Sequence, residues 1–174
     1  MLIKNNTEKV MKLFFENPEK KFHIREIARI VKISSGGAFN IIKKLKKTGL
    51  LSSEKKGVIE NVSASKTEKF IQLKRCYNLY SIFSSGLVQF LRDKYEEPEA
   101  IILFGSYGKG EDISESDIDI AIITKKHIKI DLKKFDDLLK RKINTYEIQI
   151  SECKKEFINN LVNGIILYGY LKVV

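Results

Sequence analysis

The chain has 174 residues, room for one medium domain or two small ones, and 43% of them are apolar, enough for packed cores and too many for a disordered chain. No apolar run nears the roughly 18 residues a membrane-spanning helix needs, and the N-terminus lacks the apolar stretch and cleavage site of a secretion signal, so a cytoplasmic protein with no membrane partner is expected. The formal net charge of +10 lies wholly in residues 1–74, with 17 Lys and Arg against 7 Asp and Glu; residues 75–174 hold 15 of each. A basic region of that kind attracts polyanions by counterion release, although a solvated lysine surface has the same composition. Cys76 and Cys153 stand far apart, in no metal-ligand spacing, and read as buried free thiols.

Residues 7–16 read as a helix capped by Thr7, with Val10, Leu13 and Phe14 on one face, and Asn17-Pro18 ends it. Residues 23–31 read as a second short helix, with Ile24, Ile27, Ala28 and Val31 at helical spacing. Ser34 or Ser35 opens a third, which runs to about Lys47 on a stripe of Ala38, Ile41, Ile42 and Leu45. Thr48-Gly49 terminates it. Two extended stretches, about 50–54 and 58–63, flank Lys55-Lys56-Gly57 and read as a hairpin.

Three short helices and a hairpin are the order of a winged helix-turn-helix. The stretch FHIREIARIVKISSGGAFNIIKKLKKTGLL resembles the helix-turn-helix of archaeal and bacterial winged-helix regulators, over roughly residues 5–65. The resemblance implies that the third helix enters the major groove of DNA. Its non-core face offers Ser34, Ser35, Asn40, Lys43, Lys44 and Lys47, and the wing offers Lys55 and Lys56. Lysines there contact phosphates, which position a protein without specifying sequence. DNA is the expected partner; a protein-binding or purely structural module is the alternative.

A domain over 1–65 is then followed by linker helices over 66–98, broken near Ser84-Ser85-Gly86 and closed by Pro98. Phe70, Leu73, Tyr77, Tyr80, Phe83, Leu87, Phe90 and Leu91 make an aromatic-rich stripe that suits either a core or the seam of a homodimer. The last domain, 99–174, alternates element types: strands at 100–104, 117–124 and 146–150, helices at 131–142 and 153–163. That order implies a small α/β domain.

Chemistry concentrates in ILFGSYGKGEDISESDIDIAII, residues 102–123. A buried strand runs into Gly105-Ser106, then Gly108 and Gly110. Glycine there lets the backbone turn sharply and approach a ligand, and backbone N–H groups at such a turn hold anions. Ser106 adds a hydroxyl and Lys109 a charge, so the loop is a candidate phosphate cradle. Asp117 and Asp119 lie two apart on a strand and share a face. Paired carboxylates repel unless a cation sits between them, and hard oxygens suit Mg²⁺.

The spacing Gly105-Ser106, Gly110 and Ser116-Asp117-Ile118-Asp119 resembles the signature of the DNA polymerase β-like nucleotidyltransferases, the minimal group in particular, over about residues 87–174. Its tail resembles archaeal members in which a winged helix precedes the transferase. The resemblance implies an α+β chain: a winged helix-turn-helix, linker helices, and a small mixed sheet flanked by helices. It implies that Gly105 and Ser106 bind a nucleoside triphosphate, ATP first among them, and that Asp117 and Asp119 hold Mg²⁺; Lys109 and Ser116 are further nucleotide-binding candidates. A hydroxyl then attacks the α-phosphate and pyrophosphate leaves. A third carboxylate from a neighbouring strand completes such sites. The acid available is Glu147, which alternation groups with Gln149 and Ser151, and it is expected as metal ligand or general base. A protein acceptor is expected from the likeness of some minimal members to antitoxins that adenylylate a partner toxin. The alternative is a DNA-binding regulator whose transferase fold senses nucleotide without turnover.

Overall fold

The computed structural model describes residues 5–56 and 59–172. It divides into two compact units, Met1–Lys74 and Arg75–Val174, and the boundary falls inside one helix, α4 (Glu68–Ser85).

The first unit is a winged helix-turn-helix. Helix α1 (Asn6–Glu16) starts one residue earlier than Thr7 would place it, because Asn5 is the cap. The Asn5 side chain accepts the Glu8 N–H at 2.9 Å, and Glu8 reaches back to the Asn5 N–H. Helix α2 (Ile24–Val31) ends on Lys32 in the left-handed conformation. Helix α3 (Ser35–Lys47) is capped by Ser34, which accepts the Gly37 N–H at 3.1 Å. Val10, Phe14, Ile27, Ala38, Ile42 and Leu45 fill the core between the three helices. Strands β2 (Leu51–Lys56) and β3 (Ile59–Ala64) pair antiparallel as the wing. A two-residue strand, β1 (Phe22–His23), adds to β3 through Phe22 opposite Val62. Nothing in the sequence signals β1, since two residues carry no alternation. Gly57 of the expected turn, Val58 and the Lys56 side chain lie outside the described residues.

In the second unit α4 gives way to α5 (Leu87–Lys94) at Gly86, whose φ of 79° ends one helix and starts the next. Leu73 and Phe83 of the aromatic-rich stripe are exposed, while Phe70, Leu87 and Leu91 are buried. The sheet has the order β6-β5-β4-β7, with β4 (Ala100–Phe104), β5 (Ile118–Ile123), β6 (Ile143–Ile148) and β7 (Ile165–Gly169). It is mixed: β4 runs antiparallel to β5 and β7, and β5 runs parallel to β6. A parallel pair needs a crossover, and α7 (Lys133–Leu139) lies in it. Helix α7 is shorter than expected because Lys140 turns left-handed at φ 55°. Both faces of the sheet are covered. Ile101, Leu103, Ile118, Ile120 and Ile122 pack with Leu87, Leu91, Tyr95 and Phe135 on one side. Ala100, Ile102, Ala121 and Ile123 pack with Leu161 of α8 (Lys155–Val162) on the other. Neither cysteine is buried: Cys76 is exposed and Cys153 partly so, and both are free thiols. No helix among the described residues is long and apolar enough to cross a membrane.

Candidate functional site

The site forms where β4 ends and β5 begins. Phe104 pairs with Asp119, so the turn after β4 arrives beside the acids. That turn is Gly105-Ser106, the start of the short helix α6 (Gly105–Lys109), with Gly110 closing it in the left-handed conformation. Gly105 has φ 75°, and a Cβ on it would stand 2.8 Å from Asp119 Oδ2. Glycine is therefore required twice, for the backbone angle and for the approach of the carboxylate. Gly108 is packed against Leu103, which fixes α6 to the end of β4.

Asp117 and Asp119 do share a face, and one side chain meets both. The Asn144 Nδ2 donates to Asp117 Oδ2 at 3.1 Å and to Asp119 Oδ1 at 3.4 Å. The Tyr146 hydroxyl reaches Asp119 Oδ1 at 3.3 Å. Tyr146 packs its ring against Phe104 and Phe157, with centroids 5.5 and 6.4 Å apart. Burial, then the Asp119 and Asp117 charges, push the Tyr146 phenol above its ordinary value.

Glu147 is not part of this cluster. Strand β6 starts at Ile143, three residues before the expected start, and its register sets Asn144 opposite Asp119 and Glu147 opposite Ile122. Paired residues of neighbouring strands share a face and successive residues alternate. Asn144 and Tyr146 therefore sit with Asp119, and Glu147 sits on the opposite face, with Ile118, Ile120 and Ile122. There its carboxylate accepts from the Tyr95 hydroxyl at 2.7 Å and the Ile128 N–H at 2.9 Å, and it pairs with His127 Nδ1 at 2.9 Å. Burial pushes the Glu147 carboxyl up, but these three partners outweigh it and hold it below its ordinary value.

The remaining residues take simpler places. Ser106 is half-buried, and Lys109 is exposed in the last turn of α6. Ser116 accepts the Ile113 N–H at 2.9 Å and so shapes the loop before the acids. Tyr107 is buried core. Asp112, in the loop before the acids, is 2% exposed, accepts from Asn78 Nδ2 at 2.7 Å and lies 3.7 Å from Arg141. Asn78 also donates to the Tyr107 carbonyl at 2.9 Å, tying α6 and the acidic loop to α4.

Tested against a divalent cation, the two aspartates fit: hard oxygens converge on one point, now faced by a single amide. The third acid does not fit, because Glu147 points away. Among the described residues no group of three or more His, Cys, Asp or Glu side chains is placed to hold a metal ion.

In the first unit, Ser35, Asn40, Lys43, Lys44 and Lys47 are exposed on α3, and Lys55 is exposed on the wing. Ser34 is exposed too, with its hydroxyl oxygen engaged in the cap. Lys46 is held by Glu60 at 2.7 Å and by Ser53. Phe39, not singled out in the sequence, is 49% exposed on the same helix. Its place between Ala38 and Asn40, one step off the apolar stripe, is the signal that would have shown it.

Residues 87–171 match the model of the family described as polymerase beta, nucleotidyltransferase. The match lies within the second unit, which is thus similar to a nucleotidyltransferase domain. No curated protein matches the chain. Among solved structures, a single-site mutant of Lactococcus lactis ZitR is 20% identical, over 55% of this chain and 65% of that one, at a TM-score of 0.40. The adhesin competence repressor AdcR of Streptococcus pyogenes is 18% identical, over 54% and 69%, also at 0.40. ZitR of Lactococcus lactis, described as a zinc-responsive MarR family member, is 22% identical, over 55% and 66%, at 0.37. The chain thus spans about two thirds of the length of each, and at these scores nothing about its fold or function rests on the likeness.

Proposed function

We propose that this protein joins a DNA-binding winged helix to a site that binds a nucleoside triphosphate with a divalent metal, ATP and Mg²⁺ first among candidates, and presents its α-phosphorus to a hydroxyl. The carrying observation is that Asp117 and Asp119 converge beside the Gly105-Ser106 turn, on a face shared with Asn144. Asp117 and Asp119 would hold the metal, which supplies charge neutralisation for the phosphates. The Gly105 backbone and the Ser106 hydroxyl bind phosphate oxygens, and exposed Lys109 adds positive charge nearby. Ser116 holds the loop that delivers Asp117. The acceptor hydroxyl is that of another molecule, a protein among the candidates. On α3, Ser35 and Asn40 face base edges, and Lys43, Lys44 and Lys47 face phosphates, with Lys55 of the wing beside them.

Isothermal titration of the full chain with ATP, with and without Mg²⁺, tests this. Binding is expected to need the metal and to weaken on the order of 100-fold in Asp119→Asn. Tight binding that survives that change, or none in the wild type, overturns the reading. The second reading, a DNA-binding regulator that senses nucleotide without turnover, is favoured by one observation: the acid expected as base, Glu147, is turned to the far side of β6.

A further inference from the structure

The two acids of the site are met by hydrogen-bond donors where a proton acceptor is needed. Asn144 turns its amide nitrogen to both, the orientation two carboxylates select, and the Tyr146 hydroxyl reaches Asp119. Glu147 is the one acid of β6, and its oxygens are taken by Tyr95, His127 and the Ile128 N–H on the opposite face. No rotamer change brings it round, because facing is fixed by the register with β5.

We infer that Asn144 makes this a nucleotide-retaining site, in which the bound triphosphate is held far longer than its nucleotidyl group is passed on. This rests on the nucleotide reading above. In transfer, the acceptor oxygen bonds to the α-phosphorus, the α–β bridging P–O bond breaks, and pyrophosphate leaves with that electron pair. The hydroxyl proton must go to a base. A positioned general base contributes about 10²- to 10⁴-fold. Asp117 and Asp119 are committed to the cation when it is present, and an amide takes no proton near neutral pH. Asn144 would still serve binding: with its amide turned over, the carbonyl oxygen would be available to the cation as a neutral ligand. Holding is thus preserved and transfer is slowed. Asn144 acts through the two aspartates and is a positioning residue.

Asn144→Asp, nearly isosteric, tests this. Three measurements on the full chain suffice: ATP binding with Mg²⁺ by calorimetry, release and transfer of label from α-labelled ATP, and melting temperature with and without Mg²⁺. The wild type is expected to bind ATP with little turnover. Asn144→Asp is expected to gain on the order of 100-fold in kcat with little change in KM. Its melting temperature is expected to fall without Mg²⁺, because three like charges meet, and to rise on adding Mg²⁺ by more than the wild type does. Asn144→Ala, which removes the amide and adds no base, is expected to bind ATP with Mg²⁺ more weakly and to gain no turnover. Wild-type turnover equal to that of Asn144→Asp, with binding intact, overturns the inference alone. So does label on Tyr146 in the wild type, because the phenol is then an acceptor, and so does an Asn144→Ala protein turning over tenfold faster than wild type. No ATP binding in any of the three proteins overturns the nucleotide reading itself.

Discussion

Two acidic clusters near opposite ends of β6 are furnished in opposite ways. Glu147 has three partners at 2.7–2.9 Å, and they hold its pKa down despite burial. Asp117 and Asp119 share one amide, at 3.1 and 3.4 Å, and a phenol reaches Asp119 at 3.3 Å. A carboxylate with all its partners inside the protein contributes to stability and has little left for a ligand. A close pair with long, sparse contacts is left for charge from elsewhere. The contrast separates Glu147 from the aspartate pair with which the sequence grouped it. The first unit repeats it: Lys46 is engaged by Glu60 and Ser53, while Lys43, Lys44 and Lys47 are exposed.

The sharpest way to break the comparison is to exchange the charges. Asp119→Asn is expected to weaken Mg²⁺-dependent ATP binding on the order of 100-fold, while the urea midpoint of the apo protein holds or rises. Gly105→Ala comes next. With φ at 75° and a Cβ 2.8 Å from Asp119 Oδ2, it is expected to cost about 1–3 kcal/mol in urea unfolding and to weaken nucleotide binding along with stability. Glu147→Gln inverts the first result: about 1–3 kcal/mol of stability is lost, and ATP binding is kept. The sign with pH follows from a folded pKa below the ordinary 4.5. The stability Glu147 contributes is present in full above that value and lost as pH falls through the depressed one. Melts of wild type and Glu147→Gln should therefore converge in acid and stay apart at neutral pH. The smallest effect belongs to the first unit. Changing Lys43 and Lys44 to Ala is expected to reduce the slope of log affinity for DNA against log salt by about 1 per lysine, measured by titration at several salt concentrations. Lys46→Ala should change stability and leave that slope alone. Equal slopes for all three variants would remove α3 as the DNA-facing helix.

The contrast also shows what the sequence could carry. The Gly105-Ser106 turn and the paired acids were legible because their chemistry depends on short spacings along one strand and one turn. The third position of the site was not, because it depends on register between strands far apart in the chain. In INTYEIQI the alternation of Tyr146, Ile148 and Ile150 suggests a strand from 146, yet pairing begins at Ile143, where Asn144 and Thr145 are polar. An edge strand tolerates such residues, and once it starts three places earlier a different side chain meets the aspartates. Local capping was misread for a similar reason: Asn5 and Thr7 are both good caps, and only the Glu8 partner of Asn5 decides between them. The burial of Asp112 has no local signal, because its partners, Asn78 and Arg141, lie 34 and 29 positions away.

Among the described residues, strand β6 lies at the edge of its sheet and pairs with β5 alone. It is joined to β5 by the crossover that contains α7, so their pairing waits on closing a long loop. If β6 peels away, Asn144 and Tyr146 leave together, while the β4 turn and the aspartates stay on the central strands. Amide hydrogens along β6 should then exchange sooner than those between β4 and β5. The lifetime of that brief opening, more than any lid, would set how quickly a trapped nucleotide escapes.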